Sequence, residues 1–221
     1  MDENEIKELF KAITFAADKL KDANIEDNEP NPYINLRLNM LNFMFECGAS
    51  YIHSDYLCAA VLHNAMDYMQ CTYDEIHDSF NYEVTEIVKA CSFKQIFYCY
   101  KQKNVEKARE LINEDRRFIK DGIVYVTLAR MYCIVSSFNK RNGESKFYTQ
   151  YKVDCYNRWA LYLCTILFEH VNVHLLNNPK EREFFENMKK RIISMFNDND
   201  CFECDDLEQR VDNSYNDIID L

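Results

Sequence analysis

Glycine occurs only at Gly48, Gly122 and Gly143, and proline only at Pro30, Pro32 and Pro179, in a chain of 221 residues. Average usage would supply about 15 glycines and 11 prolines. Sandwiches, barrels and doubly wound sheets need turn residues every ~8–12 positions, so this scarcity excludes them. Three isolated glycines also cannot build a glycine-rich phosphate loop. The expected fold is all-α, a compact multi-helix architecture.

The apolar pattern supports this. Ile6, Leu9, Phe10, Ile13, Ala16, Ala17 and Leu20 recur at helical spacing and predict an amphipathic helix over 4–21. Residues 22–33 are polar; Leu36, Met40, Leu41, Met44 and Phe45 then resume a helix ending near Gly48. Ser54 is the expected cap of a helix over 55–67 that carries His63, Asn64 and Asp67 at its C-terminal end. Thr72 and Glu75 have the spacing of a capping box, and further helices are expected over 82–91, 104–113, 116–138 and 148–176. Asn178, Pro179 and Glu181 combine an N-cap, a first-turn proline and a capping acid, predicting a helix over 179–196.

Apolar residues make up 48% of the chain, including 15 Phe and 15 Tyr, enough for a substantial core. The formal charge is −11, which disfavours nucleic acid and anionic membrane surfaces as partners. Most of that charge is local. Residues 198–221 hold nine acids and one Arg, so the domain is expected to span 1–197 and be followed by an acidic, disordered tail. With no cationic apolar leader and no run of 18 apolar residues, a cytoplasmic protein is expected. Cysteines such as Cys58, Cys133 and Cys164 lie on apolar faces and are expected to be free thiols.

The chemistry concentrates in 31–94. His63 and Asp67, four apart, would share one face of a continuous helix. Phe15-Ala16-Ala17, Pro32-Tyr33-Ile34-Asn35, Ala59-Ala60-Val61-Leu62-His63-Asn64-Ala65-Met66-Asp67, Val126-Thr127-Leu128-Ala129-Arg130 and Tyr156-Asn157-Arg158-Trp159-Ala160 follow in order, with Thr72 and Glu75 in register behind the third. On these motifs the chain resembles the hydrolase domain of the RelA/SpoT family, in particular the small Mesh-type alarmone hydrolases. The resemblance implies a helical HD-type domain that uses manganese to remove pyrophosphate from the ribose 3′ position of (p)ppGpp.

The resemblance also shows where the chain departs. The family's metal is held by a His after Tyr-Ile-Asn, an adjacent His-Asp pair and the Asp of Leu-Ala-Asp; the aligned positions here are Leu36, His63, Asn64 and Arg130. The Glu-Asp pair that positions water reads Met66-Asp67, the phosphate-binding Arg-Lys pair reads Ile25-Glu26, and a downstream Asn reads Ile134. One imidazole beside a guanidinium does not make a divalent-metal site, so no cofactor is expected. Arg130 is expected to stand in the vacated metal position and pair with Asp67. His63, Asn64, Asp67 and Arg130 then form a remnant pocket, with Tyr33, Asn35 and Tyr156 as candidate substrate contacts.

The expected function is therefore that of a catalytically inactive relative of the (p)ppGpp 3′-pyrophosphohydrolases, acting as a regulatory or protein-interaction module. Its protein partner is unknown, and a guanine nucleotide is the candidate small molecule. An active phosphohydrolase with a rebuilt site, or a nucleotide sensor without hydrolysis, are the alternatives. Two weaker signals stand apart. His170, His174, Cys201 and Cys204 have donor types that suit zinc, though at a spacing no familiar module uses. Aromatic residues cluster at Phe93, Phe97, Tyr98 and Tyr100.

Overall fold

The computed structural model describes residues 1–21, 34–91, 121–140, 157–168 and 178–197, with the backbone alone at Tyr51, Asp67, Tyr68, Asp121 and 138–140. Among these residues there are helices and no strand, and the all-α expectation holds. The helices are α1 (Glu3–Leu20), α2 (Ile34–Glu46), α3 (Ser54–Leu62), α4 (Ala65–Tyr68), α5 (Tyr73–Ser79), α6 (Tyr82–Ala90), α7 (Asp121–Lys140), α8 (157–168) and α9 (Pro179–Asn197), with a 3₁₀ turn at Ala49–Tyr51. The helix expected over 104–113, the aromatic cluster, the acidic tail, and His170, His174, Cys201 and Cys204 lie outside the described residues.

α3 is the central element. From Leu57 to Leu62 every side chain is buried, a helix apolar on all faces that only the middle of a bundle accommodates. α1 packs on it and buries Ala12 and Ala16, while α2, α6 and α7 pack around the rest. α7 is equally enclosed through Gly122–Ala129. A Cβ on Gly122 would lie 2.6 Å from the Tyr56 ring and 2.8 Å from Ile87 Cδ1, so the missing side chain is what lets α7 approach α3 and α6. Tyr125 fills the next layer, edge-on to Phe184 of α9 at 5.0 Å between ring centroids. Cys47, Cys58, Cys71, Cys91, Cys133 and Cys164 are buried free thiols. None of the described helices is long and apolar enough to cross a membrane.

Helix starts follow the capping chemistry, with two exceptions. Asp2 and Glu5 form a reciprocal capping box on α1, and Asn81 caps α6 through Val84 N–H at 2.8 Å. Ser54, expected as the cap of α3, is instead its first residue; His53 takes that role, its Nδ1 accepting from Asp55 N–H at 3.4 Å. Thr72 does accept from Glu75 N–H at 3.1 Å, but the Glu75 carboxylate pairs with Lys19 of α1 rather than turning back to Thr72. The long-range ion pair outcompetes the second half of the box and ties α5 to α1.

Asn178 behaves as its sequence predicts. Its side-chain carbonyl accepts from Lys180 and Glu181 N–H at 3.2 and 3.4 Å, Pro179 takes the first helical position, and Glu181 accepts from Tyr125 OH at 3.1 Å. Asn178→Ala is expected to cost about 1 kcal/mol. A urea titration would show it as a lowered midpoint with an unchanged slope.

Candidate functional site

α2, α3 and α7 pack against one another, and each contributes a nitrogen-bearing side chain to one region. Arg37 comes from the first turns of α2, His63 from the end of α3 and Arg130 from the middle of α7. The charges of Arg37 and Arg130 both act on His63. Arg37 is fully buried because it shares the core stripe of Met40, Leu41 and Met44, three, four and seven positions on. A one-residue step on a helix turns the side chain by about 100°, so Arg37 faces inward and its neighbour Leu36 lies at the half-buried edge of the core.

The backbone at His63 corrects the expected geometry. α3 does not continue to Asp67: it ends at Leu62, His63 leaves with φ −54° and ψ 140°, and Asn64 adopts the left-handed conformation at φ 58° and ψ 19°. Asn is among the few non-glycine residues that enter this region readily. α4 then starts afresh at Ala65. His63 and Asp67 therefore sit on separate helical segments, and four-residue spacing no longer places them on one face. The Asp67 side chain, and with it the expected pairing to Arg130, lies outside the described residues.

His63 is 1% exposed, and its Nδ1–H donates to Ala60 O at 2.9 Å. That bond fixes the tautomer and leaves the Nε2 lone pair as an acceptor. Burial, then the Arg37 and Arg130 charges, hold its pKa well below the usual 6.5, against the pull of the Ala60 carbonyl. The ring is thus neutral at pH 7. Asn64, 5% exposed, makes no capping bond with its side chain.

Arg130 is half-buried, and its Nε is buried without a hydrogen-bond partner. Its charge also reaches the Cys91 thiol at the end of α6, which burial pushes up to about 12 and which lies beside the Thr127 hydroxyl. The guanidinium therefore acts on residues at two helix C-termini, α3 and α6, where the helix dipole favours a cation. Among the residues whose side chains are described, which leaves out Asp67 and Asp121, no Asp or Glu is buried and no group of three or more His, Cys, Asp or Glu is placed to hold a metal ion.

Of the residues singled out by sequence, His63, Asn64 and Arg130 belong to this region. Asn35, Leu36, Met66 and Ile134 are half-buried on α2, α4 and α7, whereas Tyr33, Tyr156, Ile25 and Glu26 lie outside the described residues. Arg37 was not anticipated. The signal for it was present as a charged residue at a core position of the α2 stripe.

The HD domain matches residues 12–160, a span that runs from within α1 into α8 and contains Arg37, His63, Asn64 and Arg130. No curated protein matches the chain. With a match over more than half its length, the chain belongs to the HD-domain family.

Proposed function

We propose that this HD domain is a catalytically inactive relative of the RelA/SpoT-type (p)ppGpp 3′-pyrophosphohydrolases, serving as a regulatory or protein-interaction module with fixed cations where its relatives hold manganese. What supports this reading is that Leu36, Asn64 and Arg130 stand where the resemblance places metal ligands, around a buried His63 whose pKa is lowered by burial and then by the Arg37 and Arg130 charges. HD domains belong to a phosphohydrolase type of family, and the alarmone-specific part rests on the order of motifs from Phe15 to Ala160.

The donor set does not fit a divalent ion. At the aligned positions a metal would meet the apolar Leu36, the Nε2 of His63, the neutral amide of Asn64 and the guanidinium of Arg130. Ligands to such an ion must be deprotonated and converge on it; a guanidinium never loses its proton and repels the ion. In our reading the remnant site is His63, Asn64, Asp67 and Arg130, to which Arg37 is added; Asp67 offers Arg130 a carboxylate. Tyr33, Asn35 and Tyr156 remain candidate contacts for a guanine nucleotide.

The test is release of pyrophosphate or phosphate from (p)ppGpp and related nucleotides by the purified full chain with manganese, beside His63→Ala. No turnover above the variant's background is expected. Manganese-dependent turnover that vanishes in His63→Ala would establish an active enzyme with a rebuilt site and overturn the proposal.

A further inference from the structure

We propose that α1 carries a docking surface for a second copy of this chain, which lies antiparallel along the stripe Ile6, Phe10, Ile13 and Ala17. The proposal does not rest on how the region around His63 is read.

The stripe belongs to one helix and adjoins the core. Successive residues turn by about 100°, so these four fall within about 60° of one another over about three turns. Their spacing of four, three and four is that of a seam between two helices. The rest of the apolar surface of α1 is engaged within the domain. Leu9, Ala12, Ala16 and Leu20 are buried where α1 packs on α3. On the face opposite the stripe, Phe15 lies edge-on to Phe80 at 5.5 Å, Lys11 donates to the Ser79 carbonyl and Lys19 pairs with Glu75, so α5 and its C-cap cover that side. Among the described residues the stripe has no equivalent cover. Phe10 is 64% exposed, the most of any large apolar side chain described, Ile6 is 42% exposed, Ala17 is exposed and Ile13 is half-buried. One exposed apolar side chain is ordinary, whereas a continuous line of them marks an interaction surface.

Charge and size along the stripe identify the occupant as the same surface reversed. Glu3 and Lys21 are exposed and stand eighteen positions apart, about five turns, so they share one edge of the stripe at its two ends. Lys7 and Asp18, also exposed, lie further out on that edge. A two-fold axis between Phe10 and Ile13 sets Phe10 of each copy against Ile13 of the other, and Ile6 against Ala17. The same axis brings Glu3 of each copy beside Lys21 of the other, and Lys7 towards Asp18. A parallel pairing stacks Phe10 on Phe10 and Ala17 on Ala17, an uneven seam, and forms neither charge pair. Within one copy Glu3 pairs with Lys7 at 2.7 Å, but both side chains are exposed, and a surface pair of this kind exchanges at little cost. One helix per copy, ~27 Å long, is less than a standard interface, so the dimer is weak and depends on concentration.

The experiment is analytical ultracentrifugation of the full chain over rising concentration. The wild type is expected to pass from monomer to dimer. Phe10→Glu is expected to weaken dimerisation about tenfold or more, while its melting temperature holds, because Phe10 lies outside the core. Glu3→Lys and Lys21→Glu should each weaken the dimer, and the double variant should regain it, because the swap restores opposite charges across the seam. Two independent effects on helix stability would add instead. A carbodiimide, which joins a carboxylate to an amine in contact, should link Glu3 to Lys21 in the dimer. Within one copy these residues are ~27 Å apart along α1, so the linked peptides report the antiparallel seam alone.

A wild type that stays monomeric up to its solubility limit, or a dimer unchanged by Phe10→Glu, would overturn the proposal. So would a dimer without the Glu3 to Lys21 link and without rescue in the double variant. A Phe10→Glu variant that loses its fold would overturn it too, by showing that the chain covers its own stripe.

Discussion

Exchanging Leu36→His, Asn64→Asp and Arg130→Asp together is expected to make the stability of this protein depend on manganese, a dependence not expected of the wild type. The three changes restore the donor types that the resemblance to alarmone hydrolases assigns to the metal, and His63 supplies the fourth. Each fits its backbone. Leu36 is half-buried on α2, at the edge of the core. Asn64 sits in the left-handed region, which Asp enters nearly as readily as Asn. Arg130→Asp removes the cation and places a carboxylate on the same turn of α7.

A ligand that binds only the folded state adds about 4 kcal/mol at a thousand times its dissociation constant. For a chain of this size each kcal/mol moves the melting temperature by about 2–4 °C, so a rise of about 8–16 °C on adding manganese is expected. In EDTA the variant should melt below the wild type, because a new carboxylate is then left without its ion. Scanning calorimetry with and without manganese reads both. A folded triple variant unmoved by the metal would contradict the alignment of the four positions. A wild type that shifts as much would contradict the argument from its donor set.

What the sequence disclosed and what it withheld divide along a physical line. Caps and apolar periodicity are local, and they located α1, α2, α6 and α9 to within a residue or two of where they lie. The Asn178-Pro179-Glu181 signature was the clearest, since all of its bonds are within one turn. The break at His63-Asn64 was not legible, because spacing arguments assume a continuous helix and a single left-handed residue invalidates every spacing that crosses it. Glu75 was misassigned for a related reason: its competitor, Lys19, is 56 residues away.

Arg37 is the more instructive case. The resemblance marks Leu36 as the aligned ligand position, whereas the next residue, by its place on the stripe of Met40, Leu41 and Met44, implies an inward-facing charge. Two cations, one on each flanking helix, then act on His63 where the sequence alone pointed to Arg130.

The second large effect expected is acid sensitivity. His63 is wholly enclosed, and burial first, with Arg37 and Arg130 second, holds its pKa well below 6.5 in the folded state. In the unfolded chain that pKa returns to about 6.5. Between those two values the unfolded state binds one proton more than the folded state, so stability falls as pH falls. The contribution of His63 is fully present above about pH 6.5 and is lost progressively below it, at about 1.4 kcal/mol for every pH unit until the folded pKa is reached. Against a typical stability of about 5–15 kcal/mol, that slope is a sizeable effect for one side chain.

Urea titrations at half-unit steps from pH 7.5 to 4.5, in buffers free of phosphate, would measure the slope. In His63→Gln the slope below pH 6.5 should be reduced, by up to about 1.4 kcal/mol per unit, whatever the variant's absolute stability. The Glu75 carboxylate, lowered by its pairing with Lys19, titrates further down and does not enter this window. Arg130→Gln should shorten the window from below, because removing one of the two repelling charges lets the folded ring take its proton at a higher pH. A wild-type slope already flat between pH 6.5 and 5 would mean that a proton on His63 meets compensating negative charge, and that the ring is not held neutral between two cations.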